Sequence, residues 1–360
     1  MQSGNFKQID VHLQKNYTVI VGKDITDKLK EFVDLKQTVA VTDSNVYALY
    51  GKLIKEILTE PGNLFSFKAG EESKNYKTLH SIYDFLIDKK ADRYTYLLAF
   101  GGGVVGDVGA YAASTYMRGI PLIHIPTSLL AMTDSSIGGK TAINYGGFKN
   151  IVGSFYQPEL VLCDIRFLNT LNRREFNSAL AEVVKYGIIR DESLFSFMET
   201  NKEKIKNRDE ETLIELVLKS IQNKVDIVEE DEKEKGNRAL LNFGHTLAHA
   251  IESATEYKKY LHGEAVSIGE VFAANLSFKL GLTQKDTLNR IIDILSFFEL
   301  PVSLKDDIET DLLYKIIEKD KKNRSGILRF ILTKGIGSSI ISEDLNKAQI
   351  TGAIDEIKEK

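Results

Sequence analysis

The feature that most constrains the fold of this chain is a series of short, almost wholly apolar segments in its first half. Near-continuous apolar runs are typical of strands covered on both faces of a sheet, and several of the segments between them have the apolar spacing of amphipathic helices. This alternation predicts an α/β fold with a mostly parallel sheet between helices. The predicted strands are YTVIVG (17–22), TVAVTDSNV (38–46), LFSFKAG (64–70), YTYLLAFGGG (94–103), PLIHIPTS (121–128) and ELVLCDI (159–165), and the predicted helices are 24–33, 46–58 and 76–87.

The second half has a different pattern, because strand signals fade after about residue 172 and segments with helical spacing follow one another. A late run, ILRFILTKGIGSSIIS (327–342), is typical of a hairpin, and the charged run NKEKIKNRDEE (201–211) is typical of a solvated connection. We therefore predict an α/β domain over 1–171 and a mainly helical domain over 172–360, with the active site in the cleft between them. The predicted helices of this half are 175–190, 209–232, 243–256, 262–280 and 283–298.

Composition and charge exclude several classes of protein. The 360 residues carry a formal net charge of −4, so a general electrostatic attraction to nucleic acid is not expected. No apolar run approaches the roughly 20 residues that span a bilayer, and the opening MQSGNFKQID lacks the apolar core of a signal peptide. The single cysteine, Cys163, excludes an internal disulfide. These observations predict a cytoplasmic protein that acts on a small molecule.

A glycine-rich turn indicates a dinucleotide site. The predicted strand 94–103 runs into Gly101-Gly-Gly-Val-Val-Gly106, which satisfies G-x-G-x-x-G and precedes a helical pattern of small residues. There, backbone amides and the helix N-terminus can approach a pyrophosphate, as in Rossmann-like folds; a tight turn without a ligand is the alternative. The acidic residue expected roughly 20 positions on is absent. Asp43, which ends an earlier strand, could bind a ribose or simply cap the next helix.

The stretch SSIGGKTA (135–142) ends in the Gly-Lys-Thr of a P-loop but does not fit the full pattern. A P-loop needs a glycine five positions before its second glycine, and Asp134 stands at that position. A carboxylate there would repel a triphosphate. The two glycines would instead let the backbone come close to a ligand while Lys140 meets an anion.

Residue types that bind metals gather in the second half. His245 and His249 are four residues apart on one predicted helix, so helix geometry alone would pair them, and His262 follows soon after. The glutamate that a zinc protease places after the first histidine is absent. Glu182 and Lys185 stand in a helix that is apolar all round, and buried charges are normally paired or bound to a ligand. Glu182 is the best candidate for a further ligand of a catalytic zinc ion.

Cationic residues interrupt the apolar and glycine-rich segments near these motifs. Their placement suggests that they point inward, although a solvated surface charge is the alternative for each. Together they predict a small polyanion as the substrate. They are Arg118, Lys140, Lys149, Lys185, Lys224, Arg238, Lys321 and Lys322.

Taken jointly, these motifs resemble the 3-dehydroquinate synthase family, which are NAD- and zinc-dependent enzymes of the shikimate pathway. The resemblance runs from about Asp43 to the hairpin at 327–342. It implies a Rossmann-like NAD-binding domain, a mainly helical metal- and substrate-binding domain, and a homodimer. The motifs that carry it, in order and at family spacing, are GGGVVGDVGAYAASTYMRG, PTSLLAMTDSSIGGKTAIN, FKNIVGSFYQP, AEVVKYG, LNFGHTLAHAIE and LHGEAVSIG.

The resemblance also implies a set of site residues. The ligands of Zn²⁺ or Co²⁺ are Glu182, His245 and His262. The residues along NAD are Asp43, Asn45, Glu71, Lys74, Gly103, Val104, Val105, Gly106, Asp107, Thr127, Ser128, Phe167, Leu168, Asn169 and Thr170, with Lys140 and Lys149 nearby. The substrate meets Asp134, Lys140, Asn150, Lys185, Lys224, Arg238, Asn242, His249 and either Lys321 or Lys322, and Arg118 reaches its phosphate across the dimer interface.

The reaction that the resemblance implies converts 3-deoxy-D-arabino-heptulosonate 7-phosphate to 3-dehydroquinate and phosphate. It proceeds by transient oxidation at C5, phosphate elimination, re-reduction and aldol closure. Three alternatives remain: a metal- and NAD-dependent polyol or alcohol dehydrogenase of related fold, a sister sugar-phosphate cyclase, and a non-catalytic NAD-binding regulator. The first has little use for so many cations, and the third has no need of three metal ligands.

Overall fold

The computed structural model describes residues 6–234, 236–323 and 328–359, without the side chains of 237 and 320–323. By packing, the chain divides into two compact units, Met1–Leu171 with Leu213–Lys233 and Asn172–Thr212 with Glu234–Lys360. Most of helix α6 (Glu210–Glu230) thus goes with the first unit, whereas the sequence assigns it to the second domain. None of the described helices is long and apolar enough to cross a membrane.

The first unit is built on a seven-stranded sheet with the order β1-β2-β9-β6-β5-β3-β4. β1 is antiparallel to β2, and the other neighbouring strands are parallel. Every residue of β6 and β9 is buried, as is usual for central parallel strands. The predicted mostly parallel sheet is therefore confirmed. The strands are β1 (Phe6–Val11), β2 (Tyr17–Gly22), β3 (Thr38–Asp43), β4 (Leu64–Phe67), β5 (Tyr96–Gly101), β6 (Leu122–Pro126) and β9 (Leu160–Asp164).

Three α-helices connect the parallel strands of this sheet, namely α1 (Ser44–Ile57), α2 (Tyr76–Asp88) and α3 (Gly103–Thr115). Asp43 caps α1 by accepting hydrogen bonds from the amides of Asn45 and Val46 at 2.8 and 3.0 Å. Because α3 starts two residues after β5 ends, the predicted order of strand, glycine turn and helix is confirmed. A separate antiparallel hairpin consists of β7 (Lys140–Tyr145) and β8 (Phe148–Phe155).

The helix predicted over 24–33 is wrong. The segment forms only a short 3-10 helix over Thr26–Glu31. Asp24 before it has a left-handed backbone (φ 53°), and the amides of Asp24 and Ile25 donate to the carboxylate of Asp164 at 3.0 and 2.8 Å. These contacts fix a turn where an α-helix would need a helical backbone. The strands β1, β7 and β8 were not predicted, because their side chains are largely polar or exposed.

The second unit is mainly helical, as predicted. Helix α8 packs against α4, α7, α9 and α11. The hairpin predicted over 327–342 is confirmed for its described residues, because β10 (Phe330–Gly335) pairs antiparallel with β11 (Ser338–Ser342). The helices are α4 (Arg173–Ile189), α5 (Glu192–Lys206), α7 (His245–Ala254), α8 (His262–Lys279), α9 (Lys285–Phe297), α10 (Thr310–Asn323) and α11 (Lys347–Ile357).

The connection predicted over 201–211 holds only for residues 207–209, because residues 201–206 form the last turns of α5 and residues 210–211 begin α6. Leu194, Phe195, Met198 and Ile205 of α5 are buried. They supply a narrow apolar stripe, and the many charged residues of the run occupy the remaining faces without ending the helix.

Two glycines of α8 allow unusually close contact with neighbouring segments. A Cβ atom on Gly263 would lie 1.8 Å from the carbonyl oxygen of Ser178 in α4. A Cβ atom on Gly269 would lie 2.0 Å from the carbonyl oxygen of Gly244, just before α7. Only glycine fits at such distances. These contacts bring α8 next to the middle of α4 and the start of α7.

Candidate active site

Helix α4 carries two charged residues into the core of the second unit. Every residue from Phe176 to Ile189 is buried, and Glu182 and Lys185 are each 2% exposed. The Lys185 ammonium contacts the Oε2 atom of Glu182. The prediction that these two charges are buried and partnered is confirmed.

The other carboxylate oxygen of Glu182 faces two histidines from different helices. Its Oε1 atom lies 3.3 Å from Nε2 of His245, at the start of α7, and 3.3 Å from Nε2 of His262, at the start of α8. One ligand atom from each of the three residues lies within 4.8 Å of the other two. A carboxylate oxygen and two imidazole nitrogens are the donor types of a catalytic zinc site. The cluster therefore fits a divalent transition-metal ion.

The remaining ring nitrogens of both histidines are also engaged. Nδ1 of His245 lies 3.0 Å from the carbonyl oxygen of Phe243, and Nδ1 of His262 lies 3.1 Å from Oε1 of Glu252. Both partners are acceptors, so a neutral ring carries its proton on Nδ1 and presents the lone pair of Nε2. That tautomer is the one that binds a metal ion through Nε2.

The charges of this cluster shift the pKa values of its members. Burial by itself would raise the pKa of Glu182, but Lys185 and His245 hold that pKa well below its usual value. Burial would lower the pKa of His262, whereas its contacts with Glu182 and Glu252 raise it to about 10. The cluster therefore favours positive charge among its side chains, which either a proton or a metal cation can supply.

His249 lies beside this cluster without completing it. Its ring centroid is 5.5 Å from that of His245 and 6.3 Å from that of His262. Within the described parts of the chain, the group that could hold a metal consists of Glu182, His245 and His262. The pairing of His245 with His249, which helix spacing alone suggests, is thus replaced by a partner from α8.

Two buried acidic residues near the cluster were missed from the sequence. Glu252 is 6% exposed and Glu270 of α8 is 0% exposed. Neither carboxylate oxygen of Glu270 has a hydrogen-bond partner among the described residues. Burial raises the pKa of Glu270 well above its usual value, the charge of Glu182 adds to the rise, and Lys185 opposes it. Glu252 could have been found, because it stands seven residues after His245 in the helix that the sequence predicts.

Other predicted residues of this unit stand close to the metal cluster in sequence. Arg238, 0% exposed, and Asn242 belong to the 3-10 helix Asn237–Asn242, which ends just before α7. Nδ2 of Asn242 donates to the carbonyl oxygen of Ala239 at 3.2 Å. Lys321 and Lys322 fall in α10, but their side chains lie outside those that the structure describes.

In the first unit, the glycine turn after β5 exposes the N-terminus of α3. The helix begins at Gly103, and the first amides of an α-helix have no acceptor within it. A Cβ atom on Gly101 would lie 2.5 Å from the side chain of Val105, so the turn needs glycine there. From the end of β6, the amide of Thr127 donates to the carbonyl oxygen of Gly101 at 2.9 Å. The turn fits the pyrophosphate of a dinucleotide.

A pocket of about 420 Å³ in the first unit brings several predicted residues together. Oδ1 of Asp134 accepts a hydrogen bond from the Lys224 ammonium at 2.6 Å. Lys140 is the first residue of a strand, so the Gly-Lys-Thr stretch does not open a helix as a P-loop does. The predicted site residues that line the pocket are Asp107, Asp134, Lys140, Asn150 and Lys224.

Lys74 links predicted cofactor-binding and substrate-binding residues. It is 5% exposed, and its ammonium contacts the carboxylate of Asp107 and the side-chain oxygen of Asn150. Burial raises the pKa of Asp107, and the charge of Lys74 opposes that rise. Glu71, three residues before Lys74, accepts a hydrogen bond from Nδ2 of Asn144 in β7 at 2.9 Å. The loop after β4 is thus tied to α3 and to the β7–β8 hairpin.

The other predicted cofactor residues are distributed between the core and the surface. Phe167 and Leu168 are 0% exposed in the 3-10 helix Ile165–Thr170, and the Phe167 ring packs edge-on against Phe100 with centroids 5.2 Å apart. Their side chains belong to the core, so only their backbone is available to a ligand. The exposed or half-exposed members are Asp43, Asn45, Ser128, Lys149, Asn169 and Thr170.

Comparison with known proteins identifies the family. Models described as 3-dehydroquinate synthase N-terminal and C-terminal match residues 64–178 and 179–323. The 3-dehydroquinate synthase of Syntrophotalea carbinolica is 44% identical and covers 92% of this chain and 93% of its own length. That of Dehalococcoides mccartyi is 41% identical and covers 98% and 100%.

Solved structures agree with this result. ValA, a 2-epi-5-epi-valiolone synthase from Streptomyces hygroscopicus subsp. jinggangensis with NAD⁺ and Zn²⁺ bound, is 28% identical, with a TM-score of 0.87 over 97% of this chain and 98% of that one. A 2-deoxy-scyllo-inosose synthase complexed with carbaglucose-6-phosphate, NAD⁺ and Co²⁺ is 25% identical, with a TM-score of 0.87 over 97% and 100%. The predicted two-part fold is confirmed, and the chain belongs to the 3-dehydroquinate synthase family.

Proposed function

We propose that this chain converts 3-deoxy-D-arabino-heptulosonate 7-phosphate to 3-dehydroquinate and inorganic phosphate. The observation that carries the proposal is the cluster of Glu182, His245 and His262 in a chain 44% identical to a 3-dehydroquinate synthase. The relatives with this name are more similar in sequence than the two sister cyclases, at 28% and 25%. The reaction consumes no oxidant overall, because the oxidation at C5 is reversed before release. The proposal places it in the cytosol, which suits a chain whose single cysteine is buried.

The proposal includes two cofactors, NAD and Zn²⁺ or Co²⁺. Oε1 of Glu182 and the Nε2 atoms of His245 and His262 would hold the metal ion, and the turn at Gly103–Asp107 would hold the pyrophosphate of NAD. When bound, NAD supplies a reversible hydride acceptor and the metal ion polarises substrate hydroxyl groups. Both neighbouring cyclase structures contain NAD⁺ with one of these ions.

The cationic residues of the chain would bind the acidic substrate. The pocket that contains Lys140, Asn150 and the Lys224–Asp134 pair offers fixed charges to a phosphate group. In the second unit, Lys185 would act beside the metal ion and Arg238 would bind the carboxylate. His249 and Asn242 would contact the substrate near the metal. Charges fixed by the fold stabilise a developing anion without reorganisation.

We also propose a homodimer in which Arg118 reaches the phosphate bound by the other subunit. Arg118 follows Met117 in a turn where both residues have left-handed backbones, with φ of 68° and 50°. Such a conformation is costly and is typical of functional turns. The β7–β8 hairpin also exposes four large apolar side chains, which favours a partner surface. They are Tyr145, Phe148, Ile151 and Phe155, at 63%, 66%, 62% and 46% exposure.

The reaction is tested by adding the heptulosonate phosphate, NAD and zinc to the purified chain. We expect phosphate and dehydroquinate to appear in equal amounts, without net NADH, and a chelator to stop both. Net accumulation of NADH would instead indicate a polyol or alcohol dehydrogenase. Failure to release phosphate with both cofactors present would overturn the proposal.

The cross-subunit role of Arg118 is tested by mixing two inactive variants, Arg118→Ala and Glu182→Gln. In a mixed dimer, the subunit with an intact Glu182 receives Arg118 from its partner. Random mixing of a symmetric dimer should therefore restore about one quarter of the wild-type activity. No recovery in dimers that two different affinity tags show to be mixed would assign Arg118 to its own subunit.

A further inference from the structure

A second carboxylate contacts one of the two histidines of the cluster. His262 has Nε2 at 3.3 Å from Oε1 of Glu182 and Nδ1 at 3.1 Å from Oε1 of Glu252. The imidazole thus lies between two carboxylates, one on each side of the ring. His245 has a different arrangement, because its Nδ1 faces the backbone carbonyl of Phe243 at 3.0 Å.

The fold holds Glu252 firmly in this place. Glu252 lies in the last turn of α7, seven residues after His245, so the two side chains project from nearly the same face of that helix. Its carbonyl oxygen accepts a hydrogen bond from the amide of Tyr257 at 2.7 Å, which closes the end of the helix. The side chain is 7% exposed. A buried carboxylate at hydrogen-bond distance from Nδ1 can orient the ring.

We propose that Glu252 is a positioning residue for the metal ligand His262, a role that rests on the proposed function. By accepting the Nδ1 proton, Glu252 keeps the Nε2 lone pair directed at the place where Glu182 and His245 also present their ligand atoms. A carboxylate–imidazole–metal arrangement of this kind orients the ligand and increases its basicity. Without the carboxylate, the ring of His262 could rotate or carry its proton on Nε2, which blocks metal binding.

Charge balance gives Glu252 a second effect. A divalent ion bound by one carboxylate and two neutral imidazoles leaves a net positive charge in a buried place. The negative charge of Glu252, one ring away, would offset that positive charge, so that the ammonium group of Lys185 does not face an uncompensated cation. Lys185 would then remain available as a positive charge for an anionic substrate. Glu252 should therefore favour divalent ions through charge as well as through ring orientation.

The test uses three variants of the full chain: Glu252→Ala, Glu252→Gln and, as a control, Glu256→Gln. Glu256 is four residues further on and pairs on the surface with Lys258 at 2.6 Å. Zinc affinity is measured by competition with a chromogenic chelator. We expect Glu252→Ala to weaken zinc binding about 10- to 100-fold, Glu252→Gln to weaken it less because the amide oxygen still accepts the proton, and the control to bind as wild type.

Further measurements separate orientation from general stability. The visible spectrum of the cobalt-loaded protein should change in Glu252→Ala, because it reports the geometry around the ion, while unfolding of the metal-free Glu252→Gln protein should match wild type. Equal zinc affinity in wild type and both Glu252 variants would overturn the inference. The inference would also be overturned if zinc affinity fell only in variants whose metal-free form is less stable, while the cobalt spectrum stayed unchanged. Wild-type protein that binds zinc but does not release phosphate would instead defeat the proposed function.

Discussion

Replacing the buried acid Glu270 by methionine should make the metal-free protein more stable. The side chain is 0% exposed, and its oxygens have no hydrogen-bond partner among the described residues. Leaving a buried polar group without a partner costs about 1–3 kcal/mol. Methionine has a similar length and no polar group that needs a partner, so Glu270→Met should raise the free energy of unfolding by about that amount.

The gain should depend on pH, and its sign follows from the shift of the Glu270 pKa. In the folded protein, burial raises that pKa well above its ordinary value of 4.5. When the pH is below the ordinary pKa, the carboxyl group is protonated in both the folded and the unfolded wild type. The variant then gains only the stability that comes from removing an uncharged buried group. As the pH rises further, the unfolded chain loses the proton while the folded protein keeps it. Folding of the wild type is then penalised by about 1.4 kcal/mol for each additional pH unit, until the raised pKa is reached.

The assay is urea unfolding followed by far-ultraviolet circular dichroism, since the chain has no tryptophan to report by fluorescence. A chelator keeps the protein free of metal, and Glu203→Met, on the exposed face of α5, serves as the control. The stability difference between Glu270→Met and wild type should grow between pH 5 and neutrality, with no such change for the control. A variant no more stable than wild type at neutral pH, or a gain that is the same at pH 4.5 and 7, would refute the reasoning.

Three further predictions concern the two candidate sites. Glu182→Gln should abolish stoichiometric zinc binding and turnover, because the amide cannot replace the carboxylate ligand; elemental analysis that finds one zinc ion per chain would contradict the ligand assignment. Gly263→Ala should destabilise the chain by about 1–3 kcal/mol and weaken zinc binding, because its Cβ would lie 1.8 Å from the Ser178 carbonyl oxygen. The control Gly352→Ala in α11, where a Cβ would meet nothing within 4 Å, should change neither stability nor zinc binding. Equal urea midpoints for the two variants would count against the close contact of α8 with α4. Lys74→Met should weaken NAD binding measured by calorimetry, because it leaves the half-buried carboxylate of Asp107 in the glycine-turn helix without its cation; unchanged affinity would argue against a cofactor role.

The sequence predicts the elements whose burial is uniform or periodic. The strands β2, β3, β5, β6 and β9 are recognised because both of their faces are covered, and the helices α4 and α8 because their apolar segments are long. The strand β1 is not recognised, because half of its side chains are exposed at the edge of the sheet. The helix predicted over 24–33 is wrong for another reason: the amides of Asp24 and Ile25 donate hydrogen bonds to the carboxylate of Asp164, distant in the sequence, and these bonds fix the backbone before Thr26.

The candidate metal site also depends on contacts between segments that are distant in the sequence. Spacing along one helix suggests His245 with His249, but the structure pairs His245 with His262 of another helix. That proximity depends on close backbone contacts at Gly263 and Gly269, which no helical period reveals. The apolar surroundings of Glu182 in the sequence already suggest it as a ligand, whereas the choice of His262 over His249 comes from the resemblance to a family. Glu252 and Glu270 were missed because both lie in segments that the sequence predicts as helices without any sign that these two side chains are buried.

The buried charges of the second unit make physical sense only as a set that binds a ligand. A helix required only for packing would carry apolar side chains at positions 182 and 185, because desolvating a carboxylate and an ammonium costs more than their attraction usually returns. In α4 these two charges are 2% exposed, and Oε1 of Glu182 is directed at two imidazoles rather than at further hydrogen-bond donors of the backbone. Local rules of folding are broken mainly where function requires it. A bound cation among Glu182, His245 and His262 would recover much of this cost, so the free energy of unfolding of the second unit should rise with the logarithm of the ratio of the zinc concentration to its Kd.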